Sequence, residues 1–130
     1  MIDTYAWVEY FTGGQAGGIA KGYIDGGDTV TPTMVVLELR RILLKRIGEG
    51  RETAQGAEEK MEYVRSTSTI LDLSYGSSMS AAAIDIEMKR KIGGWGAADS
   101  IVLEAARRLA AKVVTGDEHF RGLAEAVMIK

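Results

Sequence analysis

The stretch Lys112-Val113-Val114-Thr115-Gly116-Asp117-Glu118 decides how the chain is read. Lys112 to Thr115 has the character of a short buried strand that follows a helical run and meets a turn at Gly116. Asp117 then sits just beyond the C-terminal edge of a strand, the edge at which open α/β sheets bind ligands. The first residues repeat the arrangement: Met1-Ile2 is a strand fragment and Asp3 follows it. Two more acids, Glu38 and Asp99, stand on or beside apolar helix faces, where a solvated acid is not expected. The four acids are expected to converge on a divalent metal.

Outward from that stretch, strands alternate with helices. Thr4–Phe11 reads as an aromatic-rich helix closed by Gly13-Gly14, and Gln15–Asp25 as a glycine-weakened one. Asp28–Thr31 is a short strand, and Pro32 is placed at the first position of the strongest helix, which carries Val35, Leu39, Ile42, Leu43 and Ile47. A polar helix over Arg51–Arg65 bears a thin stripe of Ala54, Ala57, Met61 and Val64, making a helical hairpin with its predecessor. Thr69–Leu73 is a strand. Ser77–Lys91 is a helix expected to turn Met79, Ala82, Ala83 and Ile86 to the core, with Ile92 just beyond it. After a Gly93–Gly96 loop come a helix over Ala98–Ala111, the strand at Val113, a short helical turn around Phe120 and a final strand at Val127–Ile129. This alternation calls for a parallel sheet covered by helices on both faces. No repeat, low-complexity segment or linker divides the chain, so residues 1–130 are expected to form one domain.

Composition narrows the chemistry. The chain lacks cysteine, which removes disulfides and thiolate sites and fits a reducing, cytoplasmic setting. No signal peptide or apolar run of membrane-spanning length is visible. The net charge of −2 excludes a general basic coat for nucleic acid, so such a partner needs local patches or a bridging cation. The glycines form neither G-x-x-x-x-G-K-[ST] nor G-x-G-x-x-G, which argues against a nucleotide loop. Arg40, Arg41, Lys45 and Arg46 form one basic cluster and Lys89, Arg90 and Lys91 another; both suit phosphates and both also suit ordinary helix surfaces. His119, the only histidine, reads as a surface residue, and Trp95 as a packing or interface residue.

Each acid has a plain structural alternative. Asp3 suits the N-cap of the first helix, a role compatible with ligation. Glu38 suits an ion pair with Arg41, Asp99 a first-turn helix acid, and Asp117 a turn residue. Thr115 suits a bond to a turn amide. Four acids held together repel, and one takes up a proton unless a cation compensates; Mg²⁺ or Mn²⁺ does so with oxygen ligands.

Asp3-Thr4, Glu38 within Val36-Leu37-Glu38-Leu39, Ala98-Asp99, and Thr115-Gly116-Asp117, in this order and spacing, resemble the PIN domain, and more narrowly the VapC-type toxins. The resemblance covers the whole chain. It implies a three-layer α/β fold with strand order 3-2-1-4-5, and Asp3 and Asp117 on adjacent strands. It also implies a Mg²⁺- or Mn²⁺-dependent endoribonuclease leaving a 5′-phosphate and a 3′-hydroxyl, with Asp3, Glu38, Asp99 and Asp117 as catalytic metal ligands, Thr4 and Thr115 supporting them. A VapB-type antitoxin that blocks the cleft and a homodimer complete the expectation. Only two residues precede Asp3, fewer than family members usually have. Two other classes compete: a PIN-like module that binds RNA or protein with little turnover, and a phospho-acceptor receiver domain. The receiver needs a lysine at a late strand end, which Thr115-Gly116-Asp117 does not offer.

Overall fold

The computed structural model describes residues 1–130. The elements run α1 (Thr4–Thr12), α2 (Gly14–Asp25), β1 (Val30–Pro32), α3 (Thr33–Gly48), α4 (Ala54–Thr67), β2 (Thr69–Leu71), α5 (Tyr75–Lys89), α6 (Ala97–Arg108), β3 (Val113–Thr115), a 3₁₀ turn (Glu118–Phe120) and β4 (Ala126–Met128). Strand pairing is parallel throughout. β1 pairs with β2 and β3 with β4, as two separate two-stranded ladders. The N-terminal residues lie between them. Ile2 N–H donates to Val30 O at 2.9 Å, Val114 N–H to Met1 O at 2.8 Å, and Asp3 N–H to Val114 O at 3.3 Å. The sheet expected as continuous is therefore two pairs joined by a bridge at Ile2 and Val114. Those few bonds suffice to carry Asp3 to the edge where β3 ends.

Local sequence explains most boundaries. α1 starts where the Asp3 carboxylate accepts the Ala6 N–H and ends at Gly13, whose φ of 87° suits glycine. α2 forms despite its glycines because it packs closely on α1: a side chain at Gly17 would stand 2.3 Å from the Glu9 carbonyl oxygen. Pro32 does not open α3. It ends β1 with an extended ψ of 149°, and the helix begins one residue later. α3 buries Val35, Leu39 and Leu43, one residue per turn, and places Lys45 and Arg46 where the helix dipole favours cations.

The core holds Trp7, Phe120, Ile2, Ile24, Leu39, Leu43 and Leu103 with almost no exposure. Burying the Trp7 indole requires a partner for its N–H, and Thr31 Oγ1 accepts it at 3.1 Å; Thr31 in turn shares a 2.7 Å bond with the Ser68 hydroxyl. Trp7, Tyr10 and Phe11 of α1 meet Tyr63 of α4 in edge and stacked pairs with centroids 5.4–6.4 Å apart. The aromatic load of α1 is thus largely a packing feature.

α5 departs from the expected orientation. Its buried residues are Ser77, Ala81 and Met88, while Met79, Ala82, Ala83 and Ile86 face solvent. The small side chains allow α5 to lie against α6, and Ser100 of α6 donates to Asp85 of α5 at 3.1 Å. Close helix approach and that polar tie outweigh the larger apolar residues on the other face.

Candidate metal centre

A cleft of about 60 Å³ at the C-terminal edge of β3 is lined by Asp3, Thr4, Tyr5, Glu38, Ala98, Asp99, Val102, Asp117 and Phe120. All four acids singled out in the sequence line it. Larger cavities exist, one of 460 Å³ between α3 and α4 and one of 590 Å³ beside α2 and β4; each has three polar or charged side chains in its wall, but neither gathers the four acids.

Each acid is positioned by a different device. Asp3 follows the bridging residues and has both oxygens engaged. Oδ1 accepts the Ala6 N–H at 2.9 Å and Oδ2 accepts the buried Thr115 hydroxyl. The Thr115 hydroxyl also accepts the Asp117 N–H at 2.9 Å. One side chain at the end of β3 thereby fixes an acid on each of two adjacent chain segments. Asp117 opens the 3₁₀ turn and accepts the His119 N–H through Oδ1 at 2.9 Å. Between them Gly116 is held under the Tyr5 ring, where an added Cβ would come within 2.1 Å of a ring carbon. Any larger residue there would have to displace the Tyr5 ring.

Glu38 comes from α3. Its Oε1 accepts the Thr4 hydroxyl at 2.8 Å; the ion pair with Arg41 does not form. Asp99 occupies the first turn of α6, where Oδ2 accepts the Gly96 N–H at 3.0 Å. The helix-start role and a place in the cleft therefore coexist in one residue. The loop before it is anchored by Trp95, which is buried, donates to Ser100 Oγ at 2.8 Å and packs on Phe120.

His119 is not the surface residue expected. Its Nδ1 stands 3.0 Å from Asp99 Oδ2 and 3.6 Å from Asp117 Oδ1. Asp99, Asp117 and His119 present ligand atoms that all lie within 4.8 Å of one another. A lone histidine two residues after an expected ligand was the available signal; with no second histidine near it, the sequence did not reveal the pairing.

Electrostatics mark the same place. Burial, chiefly, pushes the Asp3 carboxyl up to about 7; Asp117 and Glu38 add to the rise, while the bonds from Thr115 and Ala6 oppose it. None of the four acids pairs with a lysine or arginine, whereas acids on the outer helices regularly do. One oxygen each of Glu38, Asp99 and Asp117 has no protein partner. Crowded carboxylates, a raised Asp3, the lack of lysine or arginine partners and open oxygens fit a divalent cation with oxygen-preferring chemistry.

The family model described as PIN domain matches residues 1–126. Comparison of the sequence with curated proteins gives no significant match. Among solved structures, the chain is similar to a toxin–antitoxin complex from Klebsiella pneumoniae, with 17% identity, a TM-score of 0.73, and coverage of 99% of this chain and 96% of that one. It is also similar to VapBC2 from Rickettsia felis bound to a DNA fragment from their promoter, with 16% identity, a TM-score of 0.73, and coverage of 98% and 95%.

Proposed function

The chain belongs to the PIN domain family, and on that premise we propose that it is a divalent-metal-dependent endoribonuclease, the toxin of a VapBC-type pair. The observation that carries the reading is the convergence of Asp3, Glu38, Asp99 and Asp117 on one cleft with no lysine or arginine partner, His119 being the one basic side chain beside them. In this reading those four acids hold Mg²⁺ or Mn²⁺. The bound cation supplies Lewis-acid chemistry, activating water and offsetting charge on the phosphate oxygens.

The chain's own residues do the positioning. Thr115 ties Asp3 to the turn bearing Asp117. Thr4 fixes the Glu38 carboxylate, and the Gly96 N–H fixes that of Asp99. Supporting bonds of this kind orient ligands and keep the spacing between carboxylates from relaxing. The cleft is small and acidic, which suits an ion and a phosphate while flanking nucleotides run over the surface. Within the two basic clusters, Arg41, Arg46 and Arg90 have no acidic partner, unlike Arg40, Lys45, Lys89 and Lys91; they are the residues available to RNA phosphates.

Partners follow from the same reading. The 460 Å³ groove between α3 and α4, with Val36, Met61, Val64 and Ile70 in its wall, supports an antitoxin contact at the hairpin. The exposed Met79 and Ile86 of α5 and Tyr75 at its start support a homodimer. The decisive assay is cleavage of RNA with Mg²⁺ or Mn²⁺ against EDTA, for wild type and Asp99→Asn. Metal-dependent cleavage lost in the variant is expected. Equal cleavage by both proteins, or cleavage that persists in EDTA, sinks the reading.

A further inference from the structure

We propose that His119 is itself a metal ligand, giving this cleft a nitrogen donor through Nδ1 and a preference for Mn²⁺ over Mg²⁺. The inference rests on the reading of the cleft as a cation site and adds a residue and a selectivity to it.

Geometry carries the assignment. Two carboxylates close on the same ring nitrogen, Asp99 Oδ2 at 3.0 Å and Asp117 Oδ1 at 3.6 Å. A protonated Nδ1 has one N–H and can donate well to one of them only. Each oxygen already accepts one backbone N–H, Asp99 Oδ2 from Gly96 and Asp117 Oδ1 from His119, and a cation in contact with all three atoms would use a remaining lone pair of each. Adjacent ligand atoms around an octahedral ion with bonds of about 2.1 Å stand about 3.0 Å apart, which is the Asp99–His119 spacing.

The ring is also held in this orientation. The His119 N–H donates to Asp117 Oδ1 at 2.9 Å, so backbone and side chain of one residue address the same carboxylate. On the far side, Nε2 lies against Gly94, whose φ is +81°; a Cβ there would stand 2.9 Å from Nε2 and displace the ring. Trp95 packs beside the imidazole, with centroids 6.4 Å apart. The Gly93–Gly96 loop thus has a second task beyond presenting Asp99: it leaves room for the histidine.

Chemistry supplies the selectivity. Mg²⁺ favours oxygen ligands and retains water, whereas first-row transition ions accept imidazole. A site of oxygens alone discriminates little between Mg²⁺ and Mn²⁺. Adding one neutral nitrogen raises affinity for Mn²⁺ without a matching gain for Mg²⁺.

The test measures binding rather than turnover. Mn²⁺ bound to wild-type protein is examined by pulsed electron paramagnetic resonance for hyperfine coupling to a directly bonded imidazole nitrogen. Calorimetry then gives Mn²⁺ and Mg²⁺ affinities for wild type, His119→Asn and Asp117→Asn. Asparagine at 119 keeps an amide donor for Asp99 and removes the ring nitrogen. The expected result is nitrogen coupling in wild type, with His119→Asn weakening Mn²⁺ by roughly 10-fold or more and Mg²⁺ by less than about 3-fold. Mn²⁺ binding that is lost in Asp117→Asn but shows no nitrogen coupling in wild type overturns the His119 assignment and leaves the cation site standing. Absence of Mn²⁺ and Mg²⁺ binding in wild type overturns both. The coupling is read on the wild-type chain, so the outcome does not depend on a variant folding.

Discussion

The two ends of α1 are built on opposite principles. At its start, Asp3 and Thr4 enter a cleft of carboxylates that repel one another, and burial keeps Asp3 near the point of protonation. One to two turns later, Trp7, Tyr10 and Phe11 pack with Tyr63, and the polar atoms have partners: Trp7 with Thr31, and Tyr10 with Tyr63 at 2.6 Å. The aromatic end contributes stability through buried area and satisfied bonds. The acidic end carries an electrostatic cost, which a bound cation of the kind proposed would relieve. A single helix links them, so the rigid packing of one end sets the position of strained charge at the other.

If that division holds, substitutions at the two ends separate activity from stability. The largest effect is expected from Asp99→Asn, which removes a charge from the cleft yet keeps an oxygen for the Gly96 N–H. Metal-dependent RNA cleavage should fall roughly 10⁴-fold, about 5 kcal/mol of transition-state stabilisation. Its metal-free melting temperature should match or slightly exceed that of wild type, and added Mn²⁺ should raise it less. A variant that melts well below wild type would show Asp99 to be chiefly structural.

Trp7→Ala should do the converse and cost about 3–5 kcal/mol of folding stability, because it opens a cavity and removes the indole bond to Thr31, whose hydroxyl keeps only Ser68. Urea denaturation measures this. A loss under about 1 kcal/mol would show that the aromatic cluster does not support the fold.

The third effect depends on pH. The folded Asp3 carboxyl, near 7, holds its proton more tightly than the unfolded one, at about 3.9. Its contribution is therefore fully present below the unfolded value and lost as pH rises through 7. Metal-free protein should lose about 2–3 kcal/mol between pH 5 and pH 8 from this group, and Asp3→Asn should flatten that part of the profile. Saturating Mn²⁺ should also flatten it. Parallel pH profiles for wild type and Asp3→Asn in EDTA would contradict the shift.

The smallest effect tests the aromatic end alone. Tyr63→Phe removes the bond to Tyr10 and leaves the ring stack, so a loss of about 1 kcal/mol is expected, with cleavage rate unchanged. A change in cleavage larger than the change in stability would show that the two ends of α1 are coupled.

Some of this molecule is legible in its linear pattern. Periodic apolar residues predict α3 and α6, and glycine pairs mark where α1 and α2 stop. Asp3 and Asp117 could be placed because each follows a strand, and a parallel sheet brings strand ends to one edge whatever their separation in the chain. Trp95 could be expected to pack, since a large indole beside three glycines has few other ways to be covered. Other features depend on which element lies beside which. The α5 face was misread because helical period gives two candidate stripes, and only contact with α6 selects Ser77, Ala81 and Met88 over Met79 and Ile86. Glu38 faces Thr4 rather than Arg41 for the same reason: α3 lies against α1, and a tertiary partner outweighs one a turn away. The raised Asp3 carboxyl and the place of His119 are likewise products of tertiary structure. Burial, like charges and a ring nitrogen 3.0 Å from a carboxylate 20 residues earlier arise only when the chain is folded. Residue types set what chemistry is available, and packing decides which groups share one low-dielectric space and so change one another's charge.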